Sequence, residues 1–313
     1  KRKALVIVPT TLLGNWQKEI QKFAPSLNAT IYHGPQRQLD LKAPDVIITS
    51  YGIARSDVKI LSKPKWSFLA IDEAQNIKNT ATEQTKAIKK LKTERVVAMS
   101  GTPVENRLSE YWSIFDFVNK GYLGSLSKFQ TEYIKPIELK RSQEHLSRFK
   151  KVTAPFILRR VKTDKTIISD LPDKIVNDQM CHLTPQQSAL YQNVVDVTMK
   201  KVDESEGVQR KGLVFQLMNA LKQICNHPSH YLKQDKVNPE DSGKMQMLLS
   251  LLDNIYENGE KTLIFTQYRE MGDLLVPLLQ QRYHSTPLWL HGGVSRKKRD
   301  QMVEDFQNKP QVK

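Results

Sequence analysis

Short apolar runs that end on polar residues alternate with amphipathic stretches through the first hundred positions. Residues 5–8, 45–49, 68–71 and 96–99 each read as a strand, with Val46-Ile47-Ile48, Phe68-Leu69-Ala70-Ile71 and Val96-Val97-Ala98-Met99 as apolar centres. Between them, residues 12–23 read as a helix with Leu12, Trp16, Ile20 and Phe23 on one face. Strands this short and apolar, separated by helices, predict an α/β parallel sheet covered on both faces. Ligands gather beyond the carboxyl ends of such strands.

The pattern changes after residue 108. Tyr111-Trp112-Ser113-Ile114-Phe115-Asp116-Phe117 reads as a packed helix, and polar, basic helical stretches follow. Thr184-Pro185-Gln186-Gln187 is a capping box opening a helix to about residue 201, and Thr102-Pro103-Val104-Glu105 is another. Strand patterning returns at Thr262-Leu263-Ile264-Phe265-Thr266 and Leu288-Trp289-Leu290. Residues 268–282 read as a helix with Met271, Leu274, Leu275, Leu278 and Leu279 on one face, bent by Pro277. Ser295 caps a last helix over 296–308. The expected organisation is a first α/β lobe over 1–160 with a helical protrusion at 108–155, a linker and second helical protrusion over 161–240, and the start of a second lobe over 241–313.

Composition narrows the partner. A net charge of +15 over 313 residues favours a polyanion. No apolar run approaches the roughly 20 residues of a membrane-spanning helix, so nucleic acid is preferred over a membrane. Lys1-Arg2-Lys3 before Ala4-Leu5-Val6-Ile7-Val8 imitates a signal peptide, but the apolar stretch is short, β-branched and stopped by Pro9. Two cysteines, Cys181 and Cys225, suit a reducing compartment, and with the histidines beside them match no standard zinc spacing.

Two strand ends carry candidate chemistry. Asp72-Glu73-Ala74-Gln75 follows one apolar run, and Ser100-Gly101-Thr102 follows another. An acidic pair at a strand end can hold Mg²⁺ (Asp72) and orient or deprotonate an attacking water (Glu73), the chemistry of nucleoside triphosphate hydrolysis. The plainer alternative for the pair is capping of a following helix, and for Thr102 a cap alone. Thr10, Thr11 and Asn15 open a helix after a strand. Thr49, Ser50 and Tyr51 form a strand-end loop, and His291, Gly292 and Ser295 precede a helix beginning at Arg296. Free N–H groups at such places favour phosphate, so all three sets are candidates for gripping a sugar-phosphate backbone without reading bases. Trp16 reads as core rather than as a platform for a base.

The ordered blocks resemble the Swi/Snf-type ATPases, double-stranded DNA translocases of helicase superfamily two. Leu5-Val6-Ile7-Val8-Pro9 through Asn15-Trp16 is similar to motif Ia, and Ile48-Thr49-Ser50-Tyr51 to motif Ib. Asp72-Glu73-Ala74-Gln75-Asn76-Ile77-Lys78-Asn79 is similar to motif II, and Ser100-Gly101-Thr102-Pro103-Val104-Glu105-Asn106 to motif III. Phe156-Ile157-Leu158-Arg159-Arg160 and Leu221-Lys222-Gln223-Ile224-Cys225-Asn226-His227-Pro228 resemble two blocks particular to this family. Leu263-Ile264-Phe265-Thr266-Gln267-Tyr268 and Leu290-His291-Gly292-Gly293 resemble the first motifs of its second lobe.

The resemblance implies two RecA-like parallel-sheet lobes, both incomplete here, with a largely helical insertion between them. It implies ATP and Mg²⁺ as cofactors, with Asp72 binding the metal through water, Glu73 positioning the hydrolytic water and Gln75 sensing the γ-phosphate. Ser100, Gly101 and Thr102 would couple that state to lobe movement, Arg159 and Arg160 would brace the lobes, and Thr266 and Gln267 would join the nucleic-acid contacts. It also implies a monomer on duplex DNA, acting on a protein cargo. The Ala-Gln ending of motif II followed by Asn-Ile-Lys-Asn resembles bacterial members, so a bacterial cytoplasm or nucleoid is expected.

Two family elements are missing from the sequence. No Gly-rich Lys-Thr or Lys-Ser loop occurs; around Ser242-Gly243-Lys244, Asn238 stands where a Gly is needed and Met245 where Ser or Thr is needed. The late arginine motif is also absent. The chain is therefore expected to be an internal piece of a longer motor, inactive by itself. A non-catalytic DNA-binding or regulatory protein and a strand-separating helicase stay open as alternatives.

Overall fold

The computed structural model describes residues 2–102, 107–161, 164–166, 172 and 174–313. The chain divides into two compact units, residues 1–171 and 172–313.

In the first unit, five parallel strands form one sheet: β1 (Ala4–Val8), β2 (Ala29–Ile31), β3 (Val46–Ser50), β4 (Phe68–Ile71) and β5 (Val96–Ala98), in the order β2-β3-β1-β4-β5. The period of two sorts their side chains. Leu5, Ile7, Ile47, Leu69 and Ile71 enter one core with Trp66, Ile77 and Ile88. Val6, Val8, Val46, Ile48 and Ala70 enter the other with Leu13. Both faces are dry, which is why these runs look uniformly apolar. Helix α1 (Leu13–Phe23) covers the second face through Leu13, Trp16 and Ile20. Phe23, expected on that stripe, is 72 % exposed. The helix starts at Leu13 after a 3₁₀ turn over Thr10–Leu12, and Leu13 takes the buried place. Helices α2 (Tyr51–Ser56), α3 (Val58–Leu61) and α4 (Glu83–Lys89) follow the strands.

Register brings the strand ends level. Ile7 pairs with Ile71 and with Thr49, Val8 with Ser50, and Ile71 with Ala98. The residues that follow β1, β3, β4 and β5 therefore emerge along one edge.

The same unit carries a helical extension: α5 (Leu108–Val118), α6 (Leu126–Phe129), a π-helix over Gln130–Leu139 and α7 (Gln143–Thr153). Trp112, Phe115, Leu123, Phe129, Tyr133 and Phe149 give it a core of its own. It is tied back to the strand edge by the buried Ser113 hydroxyl, which donates to the Ile77 carbonyl at 2.8 Å.

The second unit holds α8 (Pro185–Asp203), α9 (Gly207–Asn226), α10 (Pro228–Leu232), α11 (Gly243–Glu257), α12 (Arg269–Tyr283) and α13 (Arg296–Asn308). The capping box at Thr184 and Gln187 is formed; the one beginning at Thr102 runs into residues 103–106, outside the described residues. Gln187 is fully buried and joins three segments: its amide donates to the Ile224 carbonyl at 2.8 Å, and its oxygen accepts from the Thr184 and Gly243 N–H groups. The helices of 161–240, set apart by the sequence pattern, thus pack with α11. Met245, Leu249 and Leu252 of α11 meet Met271, Leu275 and Leu279 of α12.

One expectation fails in this unit. The apolar segments at 262–266 and 288–290 run without strand pairing among the described residues. Leu263 is 66 % and Phe265 89 % exposed. A hollow of about 610 Å³ lined by Leu252, Leu275, Leu288, Leu290 and Phe306 lies beside them. A parallel strand has no internal hydrogen bonds and needs a neighbour to supply them; neither segment has one here.

Candidate nucleotide-facing edge

The first-unit edge is built by the ends of β1, β3, β4 and β5. Asp72 continues the ladder by one bond, its N–H donating to the Ile7 carbonyl at 2.9 Å. Glu73 then turns the chain in the left-handed region, φ 53° and ψ 53°. That conformation costs a non-glycine residue about 1–2 kcal/mol, and such strain gathers where a side chain must be aimed. Neighbours hold the turn. The Ala74 N–H donates to the Met99 carbonyl at 2.8 Å, and the Asn76 backbone and side-chain amides both donate to the Glu73 carbonyl. Tyr51 donates its hydroxyl to the Asp72 carbonyl at 2.6 Å and to the Glu73 carbonyl at 3.2 Å. Burial, with the negative charges of Asp72 and Glu73, pushes the Tyr51 phenol far above its ordinary range, so it stays a donor.

The polar side chains form one chain of hydrogen bonds. The Thr102 N–H donates to Ser100 Oγ at 3.1 Å, and Ser100 Oγ donates to Gln75 Oε1 at 2.8 Å. Gln75 Nε2 donates to Glu73 Oε2 at 2.6 Å. The two blocks read as motifs II and III are thereby in contact through side chains. Gly101 and Thr102 are exposed at the end of this relay. Asp72 is gripped separately: Oδ1 accepts from the Glu73 N–H at 2.9 Å, and Oδ2 accepts from Trp16 Nε1 at 2.9 Å. Trp16 packs on the sheet as expected, yet its polar tip serves the site.

The other predicted residues fall into two groups. Thr10, Thr11 and Asn15 are exposed around the start of α1, and Arg159 and Arg160 are exposed after α7. Thr49, Ser50 and Tyr51 are instead buried, at 0 %, 3 % and 5 % exposure. Thr49 donates to the Tyr32 carbonyl, Ser50 caps α2 at the Ile53 N–H, and Tyr51 serves the turn just described. Their side chains hold this edge together rather than face solvent, because β3 is central in the sheet and its last residues are covered by α2.

In the second unit, Thr266 accepts from the Tyr268 N–H at 3.2 Å while Gln267 is exposed. His291 Nδ1 accepts from the Gly293 N–H at 3.1 Å. Gly292 and Ser295 are exposed; Ser295 occupies the N-cap position of α13 without a side-chain capping bond, and Arg296 lies 3.8 Å from Asp300. A groove of about 560 Å³ joins Thr266 and Gln267 to Lys222, Asn226 and Lys244, and Lys244 Nζ donates to Asn226 Oδ1 at 3.0 Å. The sequence does not join these two lysines, which lie 22 positions apart on different helices. His227 of the Cys-Asn-His-Pro block is fully buried; its Nδ1 accepts the Ser229 N–H that opens α10.

The donor set at the first-unit edge suits a hydrated divalent cation: a carboxylate with no ion-pair partner among the described residues, beside a second carboxylate held by a neutral amide.

Comparison with known proteins identifies the family. The sequence model described as the SNF2-related domain matches residues 1–230, and the helicase conserved C-terminal domain matches residues 243–312. A putative ATP-dependent helicase/translocase YwqA of Bacillus subtilis is 42 % identical over 99 % of this chain and 34 % of its own length. The TATA-binding protein-associated factor MOT1 of Saccharomyces cerevisiae is 29 % identical over 99 % of the chain and 20 % of its own. The Sulfolobus solfataricus SWI2/SNF2 ATPase core, solved in complex with double-stranded DNA, matches with TM-score 0.53 and 38 % identity over 99 % of this chain and 66 % of that one. The chain thus spans about a third or less of the curated relatives cited. No helix among the described residues is long and apolar enough to cross a membrane. With 230 residues under one family description and relatives that align with 99 % of it, the chain belongs to the SNF2, or Swi/Snf-type, family of helicase superfamily two.

Proposed function

We propose that the protein carrying this chain is an ATP-dependent translocase on double-stranded DNA. The observation that carries the reading is the hydrogen-bonded run Glu73–Gln75–Ser100–Thr102 beside Asp72. It gives the acidic strand end a neutral amide partner whose other side answers to the next strand end. Asp72 is the residue to hold Mg²⁺ with ATP, and the metal supplies charge neutralisation at the phosphates. Glu73 orients the water and accepts its proton. Gln75 releases or keeps Glu73 according to what Ser100 and Thr102 contact, which links the nucleotide state to the rest of the chain.

DNA is held through its backbone, at Thr10, Thr11 and Asn15, at the Thr266–Gln267 groove with Lys222 and Lys244, and at His291, Gly292, Ser295 and Arg296. The buried junction of β3 and α2 at Thr49, Ser50 and Tyr51 can contribute only through backbone groups. Arg159 and Arg160 brace the productive arrangement. The 313-residue chain alone turns over no ATP above background, because no Gly-rich Lys-Thr or Lys-Ser loop within it cradles the β- and γ-phosphates. Mg²⁺ and ATP are the cofactors, and the protein works as a monomer on DNA-bound protein cargo in a bacterial cytoplasm or nucleoid.

In the full-length protein, Glu73→Gln is expected to lower duplex-stimulated ATP turnover by about 10²–10⁴-fold with duplex affinity retained. Unchanged turnover moves the base elsewhere. Turnover stimulated by single strands or RNA but not by duplex would favour a strand-separating helicase. No turnover even in the unmutated full-length protein would favour a non-catalytic DNA-binding role.

A further inference from the structure

An indole N–H donates a hydrogen bond and can accept none. Trp16 spends its N–H on Asp72 Oδ2 at 2.9 Å, across 56 positions of sequence. Asp72 Oδ1 is taken by the Glu73 N–H at the same distance. The carboxylate plane is therefore fixed at both oxygens, and turning it would break both bonds. The residue's backbone is fixed as well, by Ile7 at its N–H and Tyr51 at its carbonyl.

The kind of donor matters. A lysine or arginine would neutralise the carboxylate and compete with a cation. The indole is neutral, and each carboxylate oxygen keeps a lone pair free. No cation pairs with Asp72 among the described residues. Trp16 is also seated firmly, its ring half-buried against the sheet face formed by Val6, Val8, Ile48 and Ala70. A buried indole needs a partner; here the partner is the acid of the site rather than a backbone carbonyl, as it is for Trp66 with Leu61 and Trp112 with Gly124.

Position on α1 adds a consequence. Asn15 is the residue before Trp16, and Thr10 and Thr11 form the 3₁₀ turn that leads into the helix. The candidate phosphate contacts and the donor to Asp72 therefore sit on one short stretch of chain.

We propose that Trp16 is a positioning residue: it orients the Asp72 carboxylate for a divalent cation and makes that orientation depend on what α1 binds. The inference rests on the reading of Asp72 as the Mg²⁺ residue and names a route by which duplex DNA regulates that site.

Two measurements test it. In the full-length protein, Trp16→Phe keeps the apolar ring and removes the donor. The Mg²⁺ concentration for half-maximal ATP turnover is expected to rise about 10-fold, the lower end for losing a group that orients a metal ligand. Duplex DNA no longer lowers the Mg²⁺ midpoint. An unchanged midpoint, with duplex still shifting it, overturns the proposal.

The second measurement does not depend on turnover. In the 313-residue chain, the Trp16 indole N–H resonance should move in Asp72→Asn and broaden on Mn²⁺ addition before those of Trp66, Trp112 and Trp289. An indole signal indifferent to both overturns the proposal, and this readout decides if Trp16→Phe fails to fold. If instead Glu73→Gln leaves turnover intact while the indole senses Mn²⁺ and Asp72→Asn, the hydrolytic reading falls and the positioning role stands.

Discussion

Val46-Ile47-Ile48 and Leu263-Ile264-Phe265 are nearly interchangeable as sequence, and the molecule treats them oppositely. The first lies in β3, paired on both sides and buried on both faces. The second runs alone, with Phe265 almost fully exposed. An apolar triplet states only a readiness to be buried. Whether it becomes a strand is decided by a neighbour with matching register, because a lone extended segment leaves its N–H and C=O groups to solvent. In the first unit β1 supplies that neighbour to both β3 and β4. In the second, the segments at 262–266 and 288–290 line one hollow and carry no strand pairing among the described residues.

The sharpest way to break this contrast is a matched pair of truncations. Ile48→Ala should cost about 2–5 kcal/mol, the range for emptying a packed core site. Leu263→Ala in the same chain should stay within about 0.5 kcal/mol. Urea melts of both variants measure it, and a loss at Leu263 as large as at Ile48 would mean the second segment is paired in solution.

A smaller effect probes what order the second unit does have. A Cβ on Gly272 would lie 2.1 Å from the Trp289 ring, and that ring is held by its N–H donating to Asp273 at 2.9 Å. Gly272→Ala should therefore destabilise the second unit by about 1–3 kcal/mol, seen as faster amide exchange in α12 with the sheet of the first unit unaffected. Unaltered exchange would mean that Trp289 is not seated on α12.

The smallest effect is electrostatic and belongs to the first unit alone. Asp57 receives two hydrogen bonds from the Arg37 guanidinium, at 2.6 and 2.8 Å, and one from the Tyr32 hydroxyl at 2.7 Å. Arg37 foremost lowers its pKa from an ordinary 3.8 to about 2. The folded state thus binds this proton less readily than the unfolded chain. The stabilisation is complete above about pH 4 and is lost as pH falls toward about 2. Asp57→Asn should be less stable than the unmutated chain at neutral pH, with the gap closing over that window; a constant gap in acid melts would rule the pair out as its source.

What could be read in advance follows the same division between local and borrowed structure. β1, β3, β4 and β5 were legible because each is an apolar run with polar punctuation. β2 was not, since Ala29-Thr30-Ile31 is three residues with no period of its own, and only the edge of β3 makes it a strand. The acidic strand end and the Ser-Gly-Thr block were legible as chemistry. Their contact through Gln75 and Ser100 was not, because it depends on β4 and β5 being neighbours. Trp16 is legible only in part for a related reason: the helical stripe gives its ring a place in the core but cannot say which group its N–H will meet. Tyr51 reads as part of a strand-end loop, whereas α2 begins there and folds it inward.

The left-handed backbone at Glu73 has a meaning for how this protein can change. Glycine alone relaxes there without a steric penalty. Selection for sturdiness, acting by itself, would erode the acid toward glycine and leave a calmer but silent turn. Glu73→Gly would calm the torsion and remove the carboxylate together, so searches for hardier variants should leave this position alone.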